Sequence, residues 1–265
     1  LVRRLPVPYE IKFMAEGPDG RRFSPQVRRQ FVTLAPTLLH FLRESPDPDM
    51  ALRYIEDFAS KVGAPASYYA MFRESPSILE LLTRLCGTSR FLADLLVTHP
   101  ESFDILTVSS IMDRPKTLAE KQRETLWAIA DVTDNQLFGV LRNYKNSEIL
   151  RIGMRNILGQ ADLWTTTAEL SDLAEATLQA MYSRIRAEFN AKYGMPFEEN
   201  GAEATFAVIG MGKFGGRELN FSADLDVMFV YSAEGKTTEG LSNADYFSKL
   251  GLELVNRMKG NTGGA

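Results

Sequence analysis

The chain has 265 residues, 45% hydrophobic and 24% charged, with a net charge of −4, a globular composition with length enough for two ordinary units. The acidic balance argues against a broad nucleic-acid surface, and no apolar run approaches the ~20 residues of a membrane span. One cysteine and two histidines leave no internal disulfide, no His/Cys zinc site and no His-dependent triad of workable spacing, so the chemistry is expected from carboxylates.

The opening Leu1-Val2-Arg3-Arg4 lacks the apolar stretch that follows in a signal peptide, and a cytoplasmic protein is expected. From Ser24 to about Tyr193 apolar residues recur three and four apart, which reads as consecutive helices. Ser24-Pro25, Asp47-Pro48, Ser75-Pro76 and His99-Pro100 each place proline at a first helical turn, where its missing N–H costs nothing. Cys86, within Leu81-Leu82-Thr83-Arg84-Leu85-Cys86, is read as a buried structural thiol. Arg28-Arg29 and the series from Arg142 through Lys145 and Arg151 to Arg155 are read as solvated helix faces. The shared face of Arg151 and Arg155 leaves open a role toward a nucleotide or a protein substrate. Trp127 and Trp164 are read as packing residues and not as ligand platforms. Leu170, Leu173, Thr177, Met181, Arg184, Ile185 and Glu188 form one stripe of a long helix, with Thr166 and Glu169 as its expected capping box.

The grammar changes after Pro196. Glu198-Glu199-Asn200-Gly201 is a polar turn, Thr205–Ile209 a short buried strand, and Gly210–Gly216 a glycine-rich loop. Arg217-Glu218-Leu219-Asn220 is expected as one helical turn and Asp224–Tyr231 as a second strand. After a loop at Gly235-Lys236-Thr237-Thr238, Asn243–Met258 reads as an amphipathic helix, and Gly260–Ala265 has the composition of a linker.

Asp224-Leu225-Asp226 carries the most chemical information. In an extended chain the period of two sends both carboxylates to one side while Leu225 points away. Two bare carboxylates facing one space repel each other, and a divalent cation removes that conflict, so a magnesium site is the natural inference. Gly215-Gly216 just upstream permits close approach of backbone to phosphate oxygens. Gly210-Met211-Gly212-Lys213-Phe214-Gly215 also satisfies the G-x-G-x-x-G dinucleotide fingerprint. Only Gly216–Ala223 separates it from the acid pair, however, which leaves no room for a crossover helix. A Walker A loop fails because Phe214, not Ser or Thr, follows Lys213. A diglycine loop and two acids at short range around a strand match the core signature of the polymerase-beta-like nucleotidyltransferases.

The run from Phe206 through Gly210-Met211-Gly212-Lys213-Phe214-Gly215-Gly216-Arg217-Glu218-Leu219-Asn220-Phe221-Ser222-Ala223 to Asp226 closely resembles the signature of the glutamine synthetase adenylyltransferases. The similarity extends upstream through Asn143–Tyr193 and more loosely to about Ser45. The resemblance implies an α+β chain: a helical domain over 1–110, a helical segment over 111–195, and over 196–265 the start of a polymerase-beta-like mixed sheet. It implies a bacterial enzyme with two such units, one attaching AMP from ATP to a tyrosine of glutamine synthetase, the other removing it by phosphorolysis. In that scheme Asp224 and Asp226 hold magnesium, while Lys213, Gly215, Gly216 and Ser222 hold the nucleotide. Glutamine synthetase, a PII-type nitrogen signalling protein and glutamine as effector are the implied partners. The helical run Ser45–Leu106 favours the attaching half, and Leu219-Asn220-Phe221-Ser222 leans toward the removing half; a docking module without catalysis is the reading from another class. A third carboxylate, in a segment reading roughly Val-Asp-x-Arg-Leu-Arg-Pro, does not occur before Ala265. These 265 residues alone are therefore expected to bind Mg-ATP better than they catalyse.

Overall fold

The computed structural model describes residues 9–17, 22–62, 65–107 and 114–260. Two compact units emerge, one made of residues up to Arg114 with Asn146–Asp162, the other of Pro115–Lys145 with Leu163 onward. The expected boundary near residue 110 and the linker over 261–265 lie outside the described residues.

The first unit holds helices α1 (Tyr9–Glu16), α2 (Pro25–Glu44), α3 (Pro48–Lys61), α4 (Pro65–Glu74), α5 (Pro76–Thr88) and α6 (Arg90–Thr98), then a 3-10 helix at Pro100–Thr107. Proline opens the first turn of α2, α3 and α5 as expected, and the turn after His99 is 3-10 in place of α. Ser24 Oγ accepts from Val27 N–H at 3.4 Å and Asp47 Oδ1 from Met50 N–H at 3.0 Å, each satisfying an amide the helix start would leave without a partner. Phe31, Leu34, Leu38 and Leu42 give α2 a buried stripe at three-and-four spacing. They share this unit's core with Leu52, Ile55 and Phe58 of α3 and Leu79, Leu82 and Leu85 of α5. Cys86 is fully buried, and burial pushes its thiol pKa upward, as suits an inert structural residue.

Helix α8 (Asp134–Ile157) gives residues from Asn146 onward to the first unit. Arg28, Arg29 and Arg142 are exposed, as a solvated face requires, but Arg151 and Arg155 depart from that reading. Arg151 is 0% exposed and Arg155 2%. Arg151 Nε donates to Glu148 Oε2 at 3.0 Å and Nη1 to the Arg114 carbonyl at 3.4 Å, while Arg155 Nη2 donates to the Gln160 carbonyl at 3.5 Å. These guanidiniums are interior groups and not a solvated face.

The second unit contains α7 (Leu118–Ile129), the first half of α8, α9 (Leu163–Tyr193), β1 (Pro196–Glu198), β2 (Phe206–Gly210), the single turn α10 (Gly212–Gly215), β3 (Val227–Tyr231), β4 (Gly235–Thr237) and α11 (Asn243–Met258). The capping box lies on α7, where Thr117 Oγ1 accepts from Glu120 N–H and Glu120 Oε2 from Thr117 N–H. Thr166 and Glu169 are instead interior to α9 and buried, since that helix already starts at Leu163. Trp127 and Trp164 are 83% and 71% exposed, against the expectation that they pack. For Trp127 the reason is its register: Lys121, Thr125 and Ile129 form the buried face of α7, and residue 127 falls on the opposite side.

The chain class is α+β, as expected, and its described strands pair antiparallel in two two-stranded sheets, β1 with β4 and β2 with β3. The short β1–β4 pair was not foreseen. In the β2–β3 hairpin Gly210 pairs with Val227 and Phe206 with Tyr231. Its inner face, Phe206, Val208, Phe229 and Tyr231, packs on a core that includes Tyr246, Phe247, Leu250 and Leu254 of α11 and Met181 and Ile185 of α9. Phe206 stacks on Phe229 at 5.5 Å and on Phe247 at 5.3 Å. The outer face leaves Ile209, Met228 and Val230 exposed. No helix among the described residues is long and apolar enough to cross a membrane.

Candidate functional site

The hairpin fixes where the acid pair stands. The β2–β3 ladder ends at Gly210–Val227 because the chain turns away after Gly210, so Asp224–Asp226 precede the second strand where the sequence suggested they would begin it. One further bond, from Met211 N–H to the Asp226 carbonyl at 2.8 Å, ties them to the end of β2. The alternation of the strand continues through them. Asp224 and Asp226 are exposed and Leu225 is half-buried, so both carboxylates stand on the solvent side of the hairpin. Antiparallel β2 and β3 as direct neighbours exclude the parallel crossover unit that a dinucleotide fingerprint needs.

The glycine-rich segment is more ordered than a loop. It forms the turn α10 at Gly212–Gly215, upstream of the helical turn expected at Arg217–Asn220. Gly212 has φ +52°, a left-handed conformation natural to glycine, and a Cβ there would lie 3.0 Å from Asp226 Oδ2. Its bare α-carbon is what lets the Asp226 carboxylate lie over the turn. The amides of Gly215 and Gly216 are already engaged, donating to Met211 O at 2.9 Å and Gly212 O at 3.0 Å. The donors that a helix leaves to outside partners are those of its first turn, at Gly212 and Lys213. Lys213 and Ser222 are both exposed, Lys213 on α10 beside Asp226's turn and Ser222 two residues before Asp224.

Gly215 has a packing duty instead. A Cβ on it would fall 2.4 Å from the Gly210 carbonyl oxygen, closer than atoms can approach, so α10 rests directly on the end of β2. Gly215→Ala is expected to push α10 off the strand and to cost roughly 1–3 kcal/mol, as overpacking against backbone does. Chemical denaturation of the variant measures this, and an unchanged midpoint would contradict it.

The segment between the turn and the acids is anchored to α9, a feature with no simple sequence signal. Arg217, at φ +58°, pairs with Asp172, and its Nη1 lies 3.7 Å from Glu175 Oε2. Leu219 is buried, and its N–H donates to Ser171 Oγ at 3.4 Å. Asp172 also faces the fully buried Lys121, whose Nζ lies 3.8 Å from its Oδ2 and 3.7 Å from Glu169 Oε1. Among the described residues no group of three or more acidic, histidine or cysteine side chains gathers as a metal site.

Comparison with known proteins places the sequence in a family. The family described as Glutamate-ammonia ligase adenylyltransferase matches residues 79–265, a stretch that includes α10 and both aspartates. The chain belongs to that family. Among curated relatives, the bifunctional glutamine synthetase adenylyltransferase/adenylyl-removing enzyme of Thioalkalivibrio sulfidiphilus is 30% identical, covering 96% of this chain and 27% of the relative. The enzyme of the same name from Pseudomonas aeruginosa is 27% identical over 94% of this chain and 26% of its own. That of Shewanella frigidimarina is 34% identical over 66% and 19%. The chain thus spans about a quarter of the first two relatives' length, and those relatives' names join the attaching and removing activities without dividing them between segments.

Proposed function

We propose that this chain carries a magnesium-dependent site for transfer of AMP between a nucleotide and a tyrosine of glutamine synthetase, with ATP as substrate in the attaching direction. The observation that carries the reading is the placement of Asp224 and Asp226 on the solvent side of the hairpin, with Asp226 held over the α-carbon of Gly212. The donor set fits a hard divalent cation, because both groups are carboxylates and the glycine leaves open the space that a Cβ would fill. Magnesium held there would supply charge neutralisation at the triphosphate oxygens.

The chain's own residues divide the remaining work. Asp224 and Asp226 would hold the ion, and the first-turn amides at Gly212 and Lys213, at the end of β2, would be donors for phosphate. The Lys213 ammonium adds positive charge on that turn, and the Ser222 hydroxyl adds a donor upstream of the acids. Gly215 and Gly216 contribute by shape, allowing α10 to sit close to β2, with their amides committed inside the turn. The reading extends to a PII-type signalling protein and glutamine as effectors and to the cytoplasm as the setting; the relatives' names support glutamine synthetase as the target, and no residue is assigned to the other partners.

The reading is tested in two steps. Titration of the chain with Mg-ATP is expected to show saturable binding that disappears in Asp224→Asn and in Asp226→Asn; retention of binding in both variants would sink the site. In a protein of the relatives' length, incorporation of label from ATP into glutamine synthetase that is lost when these aspartates are replaced marks the attaching half, the favoured assignment. Phosphate-dependent release of ADP from adenylylated glutamine synthetase, lost when these aspartates are replaced, would move the assignment to the removing half.

A further inference from the structure

We propose that Arg217 is a positioning residue for the acid pair, holding the segment from Gly216 to Ala223 against α9 so that Asp224 and Asp226 stay in register with the Gly212 turn. Arg217 is the one non-glycine residue of positive φ among the described residues, at +58°. An arginine rests in that conformation only where its surroundings hold it, and such backbone tends to gather at functional sites. Here the holding groups are visible. The guanidinium spans two carboxylates one helical turn apart on α9, Asp172 and Glu175.

Asp172 is itself a prepared anchor. One of its oxygens takes Arg217, and the other faces the Lys121 ammonium, which is fully buried on α7. Two cations on one carboxylate fix its direction, so the anchor is set by the helical core and not by the segment it holds. Leu219, buried and bonded to Ser171, adds a second fastening nearby on the same helix. Downstream, the bond from Met211 N–H to the Asp226 carbonyl secures the other end. The acids therefore sit between two fastenings, one on the helical core and one on the hairpin. Arg217 touches no reacting atom in this scheme; its effect passes through the backbone to residues 224 and 226.

The purpose assigned to this fastening rests on the metal-site reading, and its mechanics do not. Mn2+ serves as the probe of the acid pair, and hydrogen exchange over residues 217–226 as the probe of the segment. In Arg217→Ala, exchange over that segment is expected to speed up about tenfold or more, and Mn2+ affinity to fall about tenfold, while the thermal midpoint changes little because the side chain is half exposed. Arg217→Gly separates causes, since glycine accepts the backbone conformation freely but has no guanidinium. It should behave as Arg217→Ala. Arg217→Lys should fall between, as one ammonium reaches a single carboxylate. Wild-type exchange in both Arg217→Ala and Arg217→Gly overturns the proposal, as does Mn2+ binding that depends on Asp224 yet is unaltered in both. If Asp224→Asn leaves Mn2+ binding intact, it is the metal-site reading that fails, and the exchange measurement still decides whether Arg217 holds the segment.

Discussion

Asp224→Asn and Asp226→Asn are expected to lower AMP transfer on the order of 10³-fold or more, measured as initial rate in a protein of the relatives' length, with the fold unchanged. Each substitution removes one hard oxygen charge without altering side-chain volume, so no cavity forms. Both side chains are exposed and stand on one side of the hairpin. Stability is therefore expected to stay within about 0.5 kcal/mol of the parent, as for surface changes away from packing, and relief of carboxylate repulsion pushes it upward. The two readouts must separate: rate lost, stability kept. Near-normal turnover in either variant would remove that aspartate from the site, and a large fall in stability would mean that the carboxylate does structural work.

Arg151→Ala is the change expected to cost most stability. The guanidinium is completely buried and Glu148, its partner at 3.0 Å, is 2% exposed. Deleting the arginine takes a cation away from the buried Glu148 carboxylate and opens a cavity, and breaking such a buried pair from one side costs about 3–5 kcal/mol. Against a typical total of roughly 5–15 kcal/mol, that is enough to shift a urea midpoint far or to unfold the first unit. Removing both partners should hurt less, so the double variant Glu148→Gln, Arg151→Met is expected to recover part of the loss. A double variant less stable than Arg151→Ala would mean that the pair matters through its other contacts, not through mutual charge compensation.

How far the sequence revealed this structure depends on whether the signal was local. Proline and a side-chain cap sit next to the turn they start, so α2, α3 and the extent of α11 were legible from a few neighbouring residues. The alternation of Asp224, Leu225 and Asp226 was legible for the same reason, even though the ladder stops short of them. Arg151 and Arg155 show the limit: helical spacing says that they share a face but not that the face is interior, because the partner Glu148 and the enclosing helices decide that. Thr166 and Glu169 have the spacing of a cap, yet Glu169 is occupied in the interior, where the Lys116 amide and the Lys121 ammonium meet it. Arg217's anchorage on α9 joins residues distant in sequence and lay beyond any pattern of spacing.

The division of the chain into two units has a topological consequence. The first unit draws on residues before 115 and on Asn146–Asp162, so the polypeptide crosses between units after Arg114, after Lys145 and after Asp162, with one crossing inside α8. A single protease cut at any of these places leaves two covalent tethers intact, and no single contiguous stretch encodes either unit whole. Exchange of one contiguous segment therefore cannot transfer either unit whole without carrying part of the other.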